Sequence, residues 1–263
     1  MIVAHLEAFE KDLEKQGYKI TKHKQQGMMA TTLVARRNGT KKVIPGKKFI
    51  KIPKYEPDAV KEIIGYAVAD EINRASQMGI GKIAIPIPHQ VEWEVQDKQL
   101  KILTSSYTSK IQNKFVQIES GLNEWLAIGI VGLYDRHRGN RVAKTPSDYY
   151  HFDFGIALYP DAVEIAANSL DIIVNPDVNP NKKLPKKYSK EYLEYLIFWE
   201  HFLKANEAAI TKIALKKLQE IEIKLKKTLN NERKHIKSFF ASAFKTLLPP
   251  VSKAIKQITK KTV

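Results

Sequence analysis

The chain contains no cysteine. That excludes a disulfide framework, a thiolate nucleophile and any Cys-based zinc site, and it fits a reducing, cytoplasmic setting. Long apolar runs are also missing. No stretch approaches the ~20 residues that a membrane span requires, and the opening MIVAHLEAFEKDLEK lacks the charged-then-apolar order of a signal peptide. The seven histidines show no H-E-x-x-H or other ligand spacing. No G-x-S-x-G elbow occurs, which removes the usual serine-hydrolase signature. The aromatic residues are not interleaved with lysines as on an RNA-stacking surface. There is no internal repeat and no low-complexity tract.

Acidic residues are scarce relative to basic ones: 28 Asp and Glu against 44 Lys and Arg, a net charge of +16. The imbalance is concentrated late. His201–Val263 carries 15 Lys and Arg against 4 Asp and Glu. The lysines there recur at helical intervals, as on a solvated helical surface, and the same charge offers a patch for an anionic membrane, nucleic acid or an acidic protein.

Periodicity divides the chain. Ala4–Gln16 has the spacing of a short amphipathic helix, with Leu6, Phe9 and Leu13 on one face. Alternating β-rich segments follow at 18–23, 28–36 and 47–54, with turn signals at Asn38-Gly39 and Pro45-Gly46. Pro57-Asp58 opens a helix through about Ser76, its apolar stripe running Val60, Ile63, Ile64, Ala67, Val68, Ile72. Two more strands are expected near Ile85–Trp93 and Lys101–Tyr107. From Thr108 onward the pattern is helical. A buried helix containing Leu122, Trp125, Leu126, Gly129, Ile130 and Leu133 leads to Asp135. Further helices are expected at Asp161–Leu170, Lys190–Lys204, Asn206–Leu229 and Glu232–Leu247. A linker at Asn175–Pro185 separates the first two, and Pro249-Pro250 is expected to interrupt the chain before a last basic helix.

The chemistry is concentrated between Tyr134 and Pro160. There YDRHRGN is followed by ten residues and then HFDFGIALYP. This puts Asp135, Asn140 and Asp153-Phe154-Gly155 in the order that phosphoryl transfer requires. One carboxylate, Asp135, orients the incoming hydroxyl and accepts its proton. Asn140 offers Mg²⁺ a neutral oxygen and Asp153 an anionic one; a magnesium ion that keeps several waters needs few protein ligands. His151 and Phe152 form the strand that places Asp153, and Gly155 permits a sharp turn. His201, His235 and their neighbours are expected to be ordinary helical-surface residues.

DRHRGN followed by FDFGIALYP resembles the catalytic core shared by the HipA-like kinases and the phosphatidylinositol 3- and 4-kinases, which carry D-R-H-x-x-N where ordinary protein kinases carry H-R-D. The resemblance spans roughly Tyr18–Pro160. It implies an α+β, two-lobed protein-kinase-like fold: a five-stranded antiparallel small lobe with one helix (1–108), then a mostly helical large lobe (109–263) ending in basic helices (203–263). It implies ATP and Mg²⁺ as cofactors and a protein Ser/Thr hydroxyl as acceptor. A lipid acceptor and a catalytically silent binding or regulatory module are the alternatives.

By the same resemblance Asp135 is the catalytic base and Asn140 and Asp153 are the metal ligands. His137 either orients the transferring phosphate or braces its loop. Lys51, in the position of a V-A-I-K lysine, is the nucleotide lysine, with Lys47, Lys48 and Lys54 as rivals. Glu62 is its expected partner. The helical wheel favours Glu71 for burial, because it puts Glu62 opposite the apolar stripe and Glu71 inside it. The phosphate loop reduces to KHKQQGM with the single Gly27, and Ser105, Ser106 and Tyr107 face the adenine. The cluster of Thr104, Ser105, Ser106, Thr108 and Ser109 also offers sites for autophosphorylation.

Overall fold

A computed structural model describes residues 14–15, 18–22, 30–37, 47–88, 90–96, 98–106, 121–134, 141–145, 148–151, 154–174 and 186–262. The expected helix at Ala4–Gln16 falls almost wholly outside these residues, as does the linker at Asn175–Pro185.

Five strands, β1 (Tyr18–Lys22), β2 (Ala30–Arg37), β3 (Lys47–Pro53), β4 (Gln90–Gln96) and β5 (Gln99–Ser106), pair antiparallel in the order β1-β2-β3-β5-β4. β4 starts about five residues later than the alternation suggested, because Ile85 is held in a loop. Asn73 accepts from the Ala84 and Ile85 N–H groups and donates to the Ile85 carbonyl, so that loop's backbone polar groups are satisfied by a helix side chain rather than by a neighbouring strand. A separate hairpin joins β6 (Arg141–Thr145) to β7 (Asp148–His151).

Helix α1 (Glu56–Ile80) begins with Pro57 and two acids, Glu56 and Asp58, in its first turn. Pro lacks the N–H that would be unsatisfied there, and the acids complement the positive end of the helix dipole. It ends at Gly81, whose left-handed backbone lets its N–H close onto the Gln77 carbonyl. Beyond it lie α2 (Gly121–Val131), α3 (Pro160–Val174), α4 (Lys186–Ala205), α5 (Glu207–Leu225) and α6 (Asn230–Thr262). The interruption expected at Pro249-Pro250 does not occur; both prolines lie inside α6. Each proline costs roughly 3 kcal/mol in a helix interior. Leu247, Val251, Ala254 and Ile258 are buried around them, at about 1.5–3 kcal/mol for a fully buried large apolar side chain, so packing outweighs the local penalty.

The expected two-lobed kinase-like architecture is corrected here. Among the described residues, six helices of 11 to 33 residues outweigh strands of four to eight. Among the described residues, one buried cluster extends from Ala59 in α1 to Ile258 in α6 and includes residues of β5, so the described part of the sheet does not stand apart as a lobe. Among the strand residues whose burial is described, Leu100 and Ile102 of β5 belong to that cluster, with Val91, Trp93 and Val95 of β4 against its edge. Helix α1 is therefore shared, contacting β3 and β5 as well as α2, α4 and α5.

That sharing explains the width of α1's buried surface. Ala59 and Val60, and then Glu62, Ile63, Ile64, Gly65 and Tyr66, are buried, more than the single stripe of a helix lying on one sheet. At its C-terminal end Lys82 donates to Glu191 and Tyr195 of α4. The hydrogen bond from Lys82 holds the Glu191 carboxyl below its ordinary range, and the same bond raises Lys82. Burial raises the Tyr195 hydroxyl. A further buried hydrogen bond, Trp199 Nε1 to Asn123 Oδ1 at 2.7 Å, ties α4 to α2.

Candidate active site

Lys51 lies on β3, the middle strand of the sheet, opposite Thr32 of β2 and Ile102 of β5. Its Nζ donates to Glu62 Oε2 at 2.6 Å, with the Lys51 and Glu62 side chains 16% and 2% exposed. The helical-wheel argument for Glu71 is corrected. Glu71 is about one-third exposed and joins Asp70 around Arg74, at 3.2 and 3.1 Å. The wheel failed because α1 is covered on several faces, so the side opposite the apolar stripe is also buried. A carboxylate is tolerated there only because it is paired.

Ser105 and Ser106 stand at the end of β5, in register with Lys48 and Lys47 of β3. Gly27, Tyr107, Asp135, His137, Asn140 and Asp153 lie outside the described residues. The described residues at the ends of the DRHRGN and FDFG segments pair with one another. Tyr134 N donates to Ile156 O at 3.2 Å, Leu158 N to Val131 O at 3.0 Å, and Tyr159 N to Gly132 O at 3.0 Å. At the other end Arg141 pairs with His151 across the β6–β7 hairpin. The chain entering DRHRGN is thus hydrogen-bonded to the chain leaving FDFG, and the chain leaving DRHRGN is paired with the chain entering FDFG.

Four interactions brace this assembly. His151 Nε2 lies 2.7 Å from Glu124 Oε1 with both side chains buried, and the His151 N–H donates to Pro86 O at 2.8 Å. Phe154 is fully buried, its ring 4.2 Å from that of Tyr66, one turn of α1 beyond Glu62. Gly65 permits that approach; a Cβ there would lie 2.8 Å from Ala157 Cβ and 3.0 Å from Phe154 Cδ1. His235 of α6 has its Nε2 2.9 Å from the Leu158 carbonyl, in a residue held at φ 57°.

His235 is therefore not the ordinary surface histidine that its sequence context suggested. The Glu124–His151 pair was missed as well: 27 residues separate the partners, and no local pattern connects them. Among the described residues, no group of three or more His, Cys, Asp or Glu side chains is placed to hold a metal ion. The proposed oxygen ligands, Asn140 and Asp153, lie outside those residues. No helix among them is long and apolar enough to cross a membrane. No protein-family model matches the chain, and no curated protein matches it at significant similarity.

Proposed function

We propose that the chain is an ATP- and Mg²⁺-dependent phosphotransferase of the HipA-like type, acting on a protein Ser/Thr hydroxyl in the cytoplasm. The observation that carries the reading is the 2.6 Å pair between Lys51 and Glu62. A buried carboxylate holding a lysine amine on the middle strand of a sheet presets a cation for nucleotide phosphates. Further support comes from the paired flanks of DRHRGN and FDFG, because phosphoryl transfer depends on positioning groups drawn from separate segments. In this reading Asp135 is the base, Lys51 contacts the α/β-phosphates, and Asn140 and Asp153 hold the metal. Mg²⁺ supplies neutralisation of the charge that develops on the phosphate oxygens.

The test is incubation with labelled ATP and Mg²⁺, followed by mass spectrometry of the protein and of a cell lysate. Asp135→Ala and Asp153→Ala are each expected to abolish transfer while circular dichroism stays unchanged. Retained transfer in either variant overturns the assignment.

The exposed lysines of α6, at 234, 237, 245, 256 and 260, favour a second reading, a lipid kinase seated on an anionic membrane. Flotation with phosphoinositide vesicles separates the two, since only the lipid kinase requires the surface.

A further inference from the structure

After Glu232 the chain contains no further acid, while α6 runs on to Thr262. One side of that helix is apolar and enclosed, with Phe240, Phe244, Leu247 and Val251 all buried. The other side exposes Lys234, Lys237, Lys245, Lys256 and Lys260. Lys234, Lys245 and Lys256 recur at almost three whole turns, so they fall close to one line at intervals of about 16 Å. From Lys234 to Lys260 the stripe is about 39 Å long. None of the five lysines takes part in an ion pair among the described residues. The acids near α6 are engaged elsewhere. Glu222 accepts from Arg233 and from the Leu229 N–H, and Glu200 accepts from Ser252 and pairs with Lys204. A solvated surface ordinarily intersperses both signs. This one carries a single sign, whose self-repulsion an anionic partner would relieve.

The stripe begins beside the candidate active site. His235, next to Lys234, has its Nε2 2.9 Å from the Leu158 carbonyl. Phe239 packs so closely that a Cβ on Gly132 would lie 2.4 Å from its Cζ. Gly132 and Leu158 belong to the segments that lead into DRHRGN and out of FDFG, and Tyr159 N joins those segments through Gly132 O at 3.0 Å. Lys234 and Lys237 are thus within one helical turn of that contact, on the side open to solvent.

We infer that the exposed face of α6 docks an extended acidic segment of a protein. Resting on the phosphotransferase reading, that segment belongs to the substrate bearing the Ser/Thr acceptor. Charge spacing selects this occupant. An extended chain with an acid at every second residue presents charges about 7 Å apart on one side, close to the one lysine per roughly 8–10 Å that the stripe offers. A nucleic-acid duplex carries one charge per about 1.7 Å and single strands are held by aromatic stacking, whereas the aromatic residues of α6, Phe239, Phe240 and Phe244, are all buried. A membrane-seated amphipathic helix inserts large apolar side chains, and none of the exposed large apolar residues among those described lies on α6.

The probe is a fluorescein-labelled peptide of alternating Glu and Ser, about 16 residues long, enough to span the stripe at roughly 3.3 Å per residue. It is titrated into the full chain without nucleotide and followed by anisotropy. Saturable binding is expected, weakening with salt. Lys234→Glu/Lys245→Glu/Lys256→Glu should weaken it about tenfold or more, as for exposed ion pairs lost and replaced by repulsion. Lys190→Glu/Lys212→Glu/Lys216→Glu changes the net charge equally at exposed lysines elsewhere and should stay within twofold of the parent. The corresponding triple Lys→Gln variant of the stripe carries the test if charge reversal disturbs folding. Equal weakening by both reversal variants overturns the docking face. So does equal binding of the same peptide with Gln for Glu, or tighter binding of duplex DNA or phosphatidylserine vesicles through the same three lysines. With Mg²⁺ and ATP, the stripe variant should raise KM for the Glu peptide and leave kcat unchanged. Binding without transfer to this peptide overturns the substrate assignment alone, whereas absence of transfer to any lysate protein overturns the phosphotransferase reading and leaves the docking face standing.

Discussion

Replacing Lys51 leaves the Glu62 carboxylate buried without that partner, and this is the sharpest perturbation the structure offers. Glu62 is 2% exposed and Lys51 is 16% exposed, so water compensates poorly. Breaking a buried pair from one side costs about 3–5 kcal/mol. The partial exposure of Lys51 puts Lys51→Met at the lower end, about 3 kcal/mol, and Glu62→Leu, which strands the lysine, at a similar value. At about 2–4 °C per kcal/mol for a chain of this order of size, each single variant should melt about 6–12 °C lower.

The double variant Lys51→Met/Glu62→Leu removes both charges and leaves apolar groups of similar volume. It should cost only about 1 kcal/mol, giving a coupling of several kcal/mol between the two sites. Each side chain makes further interactions, so a single variant mixes several losses and only the cycle isolates the pair. The assay is urea unfolding of the four proteins by circular dichroism. Additivity to within about 0.5 kcal/mol would mean that the two side chains do not interact in the folded chain, and the geometric basis of the proposed nucleotide lysine would go with it.

Two glycines at nearly equal positive φ separate backbone strain from steric overlap. At Gly132 (φ 68°) a Cβ would lie 2.4 Å from Phe239 Cζ and 2.7 Å from the Tyr159 backbone nitrogen, whereas at Gly81 (φ 67°) it meets nothing within 4 Å. Gly81→Ala should cost about 1 kcal/mol, and Gly132→Ala about 3 kcal/mol or more once overpacking is added; equal urea midpoints for the two would contradict this.

The latch of Lys82 and Glu191 should give a pH-dependent contribution. Glu191 titrates below its ordinary 4.5 in the folded chain, through its hydrogen bonds from Lys82 and Tyr195. Its stabilisation is therefore present above that value and lost as pH falls through the lower folded one. Lys82 is raised above 10.5, chiefly by its hydrogen bond with Glu191, so its contribution is complete below 10.5 and is lost only as pH rises through the higher folded value. Both side chains are more than one-third exposed, which limits the effect to roughly 0.5 kcal/mol. Glu191→Gln should melt slightly lower than the parent at pH 7, and the gap should close in acid. A gap that widens on acidification would reverse the assigned sign.

Local pattern was enough to locate most elements. Alternation at 18–23, 28–36 and 47–54 found β1 to β3 to within about two residues at each end, and the 3.6-residue stripe from Val60 to Ile72 found α1. Both are nearest-neighbour properties of the backbone, written in residues close in sequence. The DRHRGN and FDFG motifs are contiguous and were read directly; of them, Phe154 and Gly155 lie among the described residues. Lys51 came from its place in the third strand and from the resemblance, its link to Glu62 from the resemblance alone, and the helical wheel argued against that link.

Tertiary structure decided what depends on covering a surface from several sides. Glu62 is buried because α1 meets the sheet on one side and helices on others, which no single-helix periodicity encodes. Pro249 and Pro250 stay helical because Leu247, Val251, Ala254 and Ile258 around them are buried, an energy that acts across the fold and exceeds a local propensity. His235 reaches the Leu158 carbonyl, and Glu124 reaches His151, over separations of 77 and 27 residues. The amino-acid order specified which residues were available to the site; the packing of the described helices around one core determined which of them meet.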